Sequence, residues 1–345
     1  MPDGVPPPGV PPPGVSPPGV SRATDFGAVT VCRRTIHRAS RVWSADGIGW
    51  IMCHMIVLVV CGMLALAGVG AVAAWGGIDL RTPGVRASDP TERRVSASPT
   101  PARSARVPAA LRRYAWWATL VTVTGTVSGL LIAGAGGRLV MRVLALTSPL
   151  AEGRITEAHA RVGDITVDGT LGYLVFGALP GAFLSAILYI LVHRWLPPGR
   201  LGGVTFGLVL LALFGATLDP LRAGNSDFDI VGPGWLAVML FSVVVILNGM
   251  LVAAVAGWYS ARLPLPTGRS WPAYTPLLAA VVYFPLGLLL LAAAALTLIG
   301  SALVPAAPGW WSSRALIRTG RIILIVLVAV SLPGVIGSVA SITTG

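Results

Sequence analysis

Long apolar segments recur along this chain and are separated by shorter polar ones. The first covers residues 48–75 and reads IGWIMCHMIVLVVCGMLALAGVGAVAAW. Each segment approaches or exceeds the roughly 20 residues that an α-helix needs to cross a hydrocarbon core of about 30 Å. Lipid offers no partner to backbone polar groups, so segments of this kind are predicted to be helices. The later segments are residues 116–136, 171–191, 201–218, 235–259, 276–304 and 322–342.

This pattern predicts an all-α fold, a polytopic membrane helix bundle with a six-helix core and one N-terminal hydrophobic helix. The composition agrees, because only 11% of the residues are charged and 54% are hydrophobic, whereas soluble domains carry about 25% charge. Gly249, Ala253 and Gly257 repeat a spacing of four that lets helix backbones approach closely in lipid. Pro180 and Pro285 lie inside apolar segments and are expected to interrupt the helical hydrogen bonding.

The polar segments divide the chain into four parts. Residues 1–47 contain a repeated PPPGV unit followed by an arginine-rich stretch, and they are predicted to be a disordered tail because such proline runs stay solvated. Residues 48–75 are predicted to form a transmembrane helix or signal anchor. Residues 76–113 are expected to be a disordered Arg/Ser/Pro linker. Residues 114–345 are predicted to form the six-helix transmembrane domain.

The orientation of the bundle is predicted from its arginines, since the sequence contains no lysine. Basic residues accumulate in cytoplasmic loops. If every apolar segment of the core crosses the membrane, the arginines divide equally between the two sides. The carboxylates after Glu92 all fall on the side opposite to Arg194, which favours a cytoplasmic start of the core. The sequence therefore predicts a multi-pass protein of the cell membrane, with Gly345 in the cytoplasm and the loop over 152–168 outside.

The formal charge of +12 does not indicate nucleic-acid binding, because no basic face with interleaved aromatic residues is present. Arginines at helix ends are instead expected to contact anionic head groups, so the predicted partner is the lipid bilayer, with membrane protein partners left open. No cofactor and no metal are predicted. Cys32, Cys53 and Cys61 all precede the core, so no disulfide framework supports it.

Two polar loops on one side of the predicted bundle carry candidate chemistry. Arg138 and Arg142 lie one helical turn apart and can hold a carboxylate or a phosphate together. Asp227 and Asp229, in the second loop, are their predicted partners. We therefore expect a polar cluster on the outer side of the membrane. Its predicted members are Arg138, Arg142, Glu157, Asp164, Asp168, Arg222, Asp227 and Asp229.

Ionisable residues avoid the centres of the predicted core helices. Asn248 and Ser242 form the strongly polar pair deep in one of them, and Asn248 is expected to hydrogen-bond across helices. Ion-coupled transporters usually place ionisable residues at depth, so this pattern speaks against a pump or an antiporter.

Three stretches, GRLVMRVLA, TEAHARVGDITVDGT and DFDIVGPGWLAV, resemble uncharacterised multi-pass membrane proteins of GC-rich bacteria. The resemblance covers residues 116–259 and implies a membrane core that begins near residue 106. It implies no established activity and supplies no catalytic residue.

The sequence leaves three functional classes open. A scaffold or accessory membrane subunit of unknown biochemical activity needs nothing beyond the features above. A permease or small-molecule transporter is favoured by the prolines and the glycine-rich helix faces. A membrane-embedded enzyme acting on a lipid-linked substrate would need a complete acid/base set, which the sequence does not show, so no catalytic residue is assigned. A cavity that reaches Asn248 would favour transport.

Overall fold

The computed structural model describes most of the apolar part of the chain and the connections between its helices. The chain divides into two units, residues 1–53 and 54–345. In the first unit only residues 47–53 are described, and the interactions below belong to the second. The described residues are 47–82, 103–155, 162, 166–217, 221–222, 224–225, 227, 230–267, 269–303 and 313–344.

Each apolar segment predicted from the sequence contains a helix. Two π-helical turns, Gly129–Gly134 and Leu174–Ala178, join consecutive helices without a break, and a 3₁₀ turn, Trp271–Leu277, precedes the eighth helix. The α-helices are α1 (Gly47–Trp75), α2 (Arg103–Ser128), α3 (Ala135–Leu146), α4 (Val167–Tyr173), α5 (Leu179–Val192), α6 (Arg200–Phe214), α7 (Gly234–Ser260), α8 (Leu278–Val282), α9 (Phe284–Leu303) and α10 (Arg314–Thr344).

The described residues contain five helical segments that are long and apolar enough to cross a membrane, or six if one bent pair counts as a span. The bent pair is Trp271–Ala280 with Phe284–Ile299, and α6 is apolar but shorter than a span. The protein is therefore an all-α polytopic membrane helix bundle. The five unbent segments are His54–Trp75, Ala109–Leu146, Val167–Val192, Gly234–Ser260 and Arg314–Thr344.

Helices α6 and α7 pack against each other through glycine. A Cβ atom added to Gly207 would lie 2.7 Å from the Cα of Ile246, and one added to Gly249 would lie 2.6 Å from the backbone nitrogen of Gly207. No side chain can occupy this contact. Close backbone approach of this kind drives helix association in lipid, where no hydrophobic effect distinguishes helix from solvent.

The contacts between helix ends define two ends of the bundle. At one end, the indole nitrogen of Trp116 donates to the carbonyl of Leu263, 3.0 Å away, and Nε of Arg321 donates to the carbonyl of Trp195, 3.2 Å away. We call this the arginine-rich end. It carries Arg81, Arg112, Arg113, Arg194, Arg200, Arg262, Arg269, Arg314, Arg318 and Arg321. The opposite end carries Arg138, Arg142, Arg154 and Arg222.

The segment from Trp271 to Leu303 enters the bundle and turns back. Its helices are bent by 120° at Tyr283, which has non-helical backbone angles (φ −95°, ψ 83°). The break precedes Pro285, and a residue before proline is disfavoured in the α conformation. Beyond the break, the carbonyl of Leu290 accepts a hydrogen bond from Tyr114, two residues before Trp116 at the arginine-rich end. The segment is therefore a re-entrant hairpin, where the sequence predicted a crossing helix.

This hairpin changes the side on which α10 ends. Arg321 lies beside Trp195 at the arginine-rich end, whereas a Cβ atom on Gly234, where α7 begins, would strike the carbonyl of Ile342. Helix α10 thus runs from the arginine-rich end to the opposite end. The sequence expectation placed the C-terminal residues on the same side as Arg194. The difference arises because that expectation counted residues 276–304 as a full crossing.

The residues after α1 pack on the bundle. The backbone nitrogen of Arg81 donates to Oγ of Ser260, 3.0 Å away, and Oδ1 of Asp79 accepts from the backbone nitrogen of Gly199, 2.7 Å away. The sequence assigned these residues to a disordered linker over 76–113, although residues 76–82 make specific contacts and α2 begins at Arg103. Local composition does not reveal such contacts, because the partners are distant in sequence. The remainder of the predicted linker lies outside the described residues.

Candidate functional site

Arg138 lies in α3 and packs on an aromatic ring. Its guanidinium carbon is 5.2 Å from the ring centroid of Tyr173, and its buried Nε atom has no hydrogen-bond partner in the described part of the chain. The hydroxyl of Tyr173 donates to the carbonyl of Ala133, 3.0 Å away. The aromatic face thus takes part of the role that the sequence assigned to carboxylates, since a cation is attracted to the ring quadrupole.

The second predicted loop meets the helix that carries Arg138. Leu221 is fully buried and packs with Val140 and Leu144 of α3, and Gly232 lies close to Leu144 and Thr147. The two loops are therefore adjacent at the opposite end. Arg142, Arg222 and Asp227 all interact with other groups, and Asp168 is exposed in the first turn of α4.

The pairing of Arg138 and Arg142 with Asp227 stays a prediction. Three other members of the predicted cluster, Glu157, Asp164 and Asp229, lie outside the described residues. Among the residues that are described, no group of three or more histidine, cysteine, aspartate or glutamate side chains is placed to hold a metal ion.

Asn248 makes a hydrogen bond across helices. Its side-chain nitrogen donates to Oγ of Ser185 in α5, 3.5 Å away, and that hydroxyl donates to the carbonyl of Gly181, 2.8 Å away. Ser242, the other polar residue predicted deep in this helix, lies six residues earlier, about 120° around the helix, and is half-buried. Oδ1 of Asn248 is buried without a partner among the described groups.

A cavity of about 250 Å³ lies at the arginine-rich end. Its wall combines an apolar part with tyrosine, histidine, aspartate and arginine side chains. No local sequence pattern predicts this combination, because its members come from the segment after α1 and from α5, α6, α7 and α10. The lining residues used below are Asp79, Tyr189, His193, Gly199, Ala253 and Arg321.

Neither Asn248 nor Ser185 is among the residues that line the cavity, but the cavity and this polar pair share two helices. The lining residue Tyr189 follows Ser185 by four residues on α5, and the lining residue Ala253 follows Asn248 by five on α7. At 1.5 Å per residue, these two lining residues are displaced by about 6–8 Å along their helices from the hydrogen-bonded pair. About one helical turn therefore separates the cavity from the buried amide.

Irregular backbone is concentrated deeper in the same bundle. The two π-helical turns pack against each other, and the hydroxyl of Tyr283, at the tip of the hairpin, donates to the carbonyl of Val175 in the second turn, 3.1 Å away. Tyr283 also stacks on Phe183, with ring centroids 5.6 Å apart. Turns of π-helix frequently mark functional positions, and non-helical backbone at membrane depth is tolerated only where protein or a water-filled cavity surrounds it.

His193, just beyond the end of α5, is a titratable group of the cavity wall with a shifted pKa. Burial lowers the pKa of this imidazole, and the neighbouring charge of Arg194 lowers it further, whereas the hydrogen bond of Nδ1 to the carbonyl of Ile190, 2.8 Å away, acts in the opposite direction. The ring is therefore neutral near pH 7. In the neutral form, Nδ1 carries the hydrogen and donates a hydrogen bond to the carbonyl of Ile190.

We expect the detergent-solubilised protein to lose stability as the pH falls from 7.5 to 5.5. The pKa of His193 is lower in the folded protein than the ordinary value of about 6.5, so the unfolded chain binds more protons in this window. The contribution of His193 to the free energy of unfolding is fully present above about pH 6.5 and is lost as the pH falls below it. Thermal unfolding at each pH measures the effect, and a His193→Gln variant should show a flatter profile. An equally steep decline in the variant would assign the effect to other groups.

Comparison of this chain with protein-family models, with curated proteins and with solved structures found no match. Membership of a family is therefore not shown. The geometry of the chain defines a class, a helical membrane protein with a re-entrant hairpin and a cavity open at one end.

Proposed function

We propose that the protein is a permease for a small polar solute and that the cavity at the arginine-rich end is its vestibule. The observation that carries this proposal is the position of two cavity-lining residues, Tyr189 and Ala253, about one turn from the Ser185 and Asn248 pair. Oδ1 of Asn248 has no partner among the described residues, and a buried amide oxygen left unpaired is costly in a bundle that has only a structural role. A solute or water that passes Tyr189 would satisfy it.

The interrupted helices support the same class. Transporters build their central sites from discontinuous helices, because the freed backbone groups can bind a solute away from water. Here the hairpin tip at Tyr283 and the π-helical turn that contains Val175 are joined by a hydrogen bond. Rotation of the Tyr283 side chain would release that carbonyl without unfolding a helix.

We further propose that the arginine-rich end faces the cytoplasm of a cell-membrane protein. The re-entrant hairpin returns Arg314, Arg318 and Arg321 to the end that already carries Arg194 and Arg200, so the equal division expected from the sequence becomes a clear excess on one side. Basic residues next to spans set orientation. This proposal places the end of α10 outside the cytoplasm.

Accessibility of an engineered cysteine tests both proposals. In a background with Cys32, Cys53 and Cys61 replaced by alanine, a Ser185→Cys variant should react with a membrane-impermeant methanethiosulfonate added from the cytoplasmic side. The residue is 7% exposed, so the reaction should be slower than at an exposed position but complete. Oriented vesicles and mass spectrometry of the labelled protein provide the measurement.

Two matched controls report the ends of the bundle. Arg113→Cys should react only from the cytoplasmic side and Thr147→Cys only from the other side, since both are exposed at known ends. If Arg113→Cys reacted only from outside and Thr147→Cys only from the cytoplasmic side, the proposed orientation would be wrong. A Ser185→Cys variant that stays unlabelled from both sides, in vesicles where both controls react, would overturn the permease.

The accessory-subunit class is the second candidate, and one observation favours it. Only 11% of the apolar window of α10 and 17% of that of α1 are buried, so these helices present most of their surface to lipid or to partner helices. An unlabelled Ser185→Cys variant would leave this class as the better proposal.

A further inference from the structure

We infer that the vestibule binds a small, soluble oxyanion, of the carboxylate or phosphate class, through Arg321. This inference deepens the proposed permease by naming the charge of its solute. It rests on that proposal only for the passage beyond Tyr189. Binding in the cavity itself requires no passage.

The charge balance around the cavity favours an anion. Arg321 forms part of the wall, and Arg200 directly follows the wall residue Gly199. Asp79 is the only carboxylate among the described residues of this end. Positive charges therefore outnumber negative ones around the cavity, and such an excess concentrates small anions.

Asp79 is bound to the start of a neighbouring helix. Its Oδ1 atom accepts a hydrogen bond from the backbone nitrogen of Gly199, the residue before the first turn of α6. The positive end of a helix dipole is a favourable place for a carboxylate. Asp79 therefore has a partner within the chain, and the guanidinium of Arg321 is the group in the wall that can bind an anion.

Arg321 is positioned by a hydrogen bond to the backbone. Nε donates to the carbonyl of Trp195, and Gly320 allows this approach, since a Cβ atom there would strike the Trp195 ring. This bond uses one of the five guanidinium donors, and the terminal nitrogens have the planar geometry that pairs with a carboxylate or phosphate. The same terminal groups on Arg318, one turn earlier, are outside the cavity wall.

The cavity volume limits the size of the solute. About 250 Å³ lies just below the roughly 300–1,000 Å³ of pockets that bind drug-sized ligands. The space therefore suits a small anion such as acetate, lactate or inorganic phosphate.

Binding is measured on the full chain purified in a neutral detergent. Sodium acetate and sodium phosphate are titrated against sodium chloride at equal ionic strength, and affinity is read from the rise in the thermal unfolding temperature. We expect both oxyanions to stabilise the protein more than chloride. Arg321→Gln should weaken the affinity roughly tenfold or more, as loss of a charge-assisted hydrogen bond does.

Arg318→Gln is the matched control, since it removes the same charge from the same helix end. Its affinity should equal that of the wild type. Equal losses in both variants, or no advantage of either oxyanion over chloride, would overturn the inference. A Tm rise with ethylammonium that disappears in Asp79→Asn would instead assign the cavity to a cation.

A lipid head group offers the same phosphate chemistry as a soluble anion. A further experiment in nanodiscs distinguishes the two ligands. Phosphate affinity is compared in nanodiscs of phosphatidylcholine and in nanodiscs that contain phosphatidylglycerol. Equal affinity is expected for a soluble anion. Displacement of phosphate by phosphatidylglycerol would overturn the assignment to a soluble solute.

The two proposals fail in different ways. Oxyanion binding together with an unlabelled Ser185→Cys variant would retain the site and reject the passage. A labelled Ser185→Cys variant without oxyanion binding would retain the passage and reject the charge class.

Discussion

A Gly249→Val variant is expected to lose about 3 kcal/mol of stability, because overpacking a tight contact forces the backbones apart. The new side chain would meet the backbone of Gly207, 2.6 Å from its nitrogen to the added Cβ. Backbone atoms cannot move aside as a flexible side chain does. Helices α6 and α7 would have to separate, and this separation would also displace Asn248 and Ala253, which border the proposed path.

The loss is measured by unfolding the purified protein in mixed micelles with increasing sodium dodecyl sulfate. Gly337→Val is the matched control, since it is the same substitution in α10 at a glycine with nothing within 4 Å of an added Cβ. The control should stay within about 0.5 kcal/mol of the wild type. Similar losses in the two variants would mean that the glycine contact does not hold α6 and α7 together.

A Trp116→Ala variant is expected to lose about 3–5 kcal/mol, the range found when a large buried aromatic side chain is truncated. Trp116 is 1% exposed and packs with Leu120 and Leu263. Its indole nitrogen also donates to the carbonyl of Leu263. The variant therefore creates a cavity and removes the partner of a backbone carbonyl at the arginine-rich end.

Two further variants, measured under the same unfolding conditions, separate the contribution of packing from that of the hydrogen bond. Trp116→Phe keeps a six-membered ring but loses the rest of the indole with its donor, so it should cost about 1–3 kcal/mol, less than the alanine variant. Trp235→Ala removes a tryptophan that is 56% exposed and should cost much less than Trp116→Ala. If the losses at Trp116 and Trp235 were equal, the packing of Trp116 would not be a main contribution to the stability of this end.

The proposed function depends on contacts that join distant parts of the chain. The vestibule needs Asp79 from the segment after α1, His193 from the end of α5, Gly199 from the start of α6 and Arg321 from α10. None of these residues stands in a recognisable local motif. Charged residues are instead dense along the chain in the polar loops around Arg138 and Asp227, so the predicted site was placed there.

The hydrogen bond of Asn248 could be predicted from the sequence, but its partner could not. A lone amide in the middle of an apolar helix predicts a hydrogen bond across helices, because lipid offers it no partner. That prediction agrees with the contact to Ser185. The identity of the partner depends on which faces of α5 and α7 meet, and only packing decides this.

The sequence by itself determined the class of fold and the position of the helices. Apolar segments of membrane length must form helices, since each backbone group must be satisfied within its own segment, and this constraint is local. The tertiary structure alone decided that Trp271 to Leu303 turns back at Tyr283 and that α10 ends beside Gly234. Length and hydropathy do not distinguish a crossing helix from a hairpin. The contacts of this segment with Val175 and Tyr114 make that distinction. They place the tip of the hairpin in the middle of the bundle and the helix after it back at the arginine-rich end.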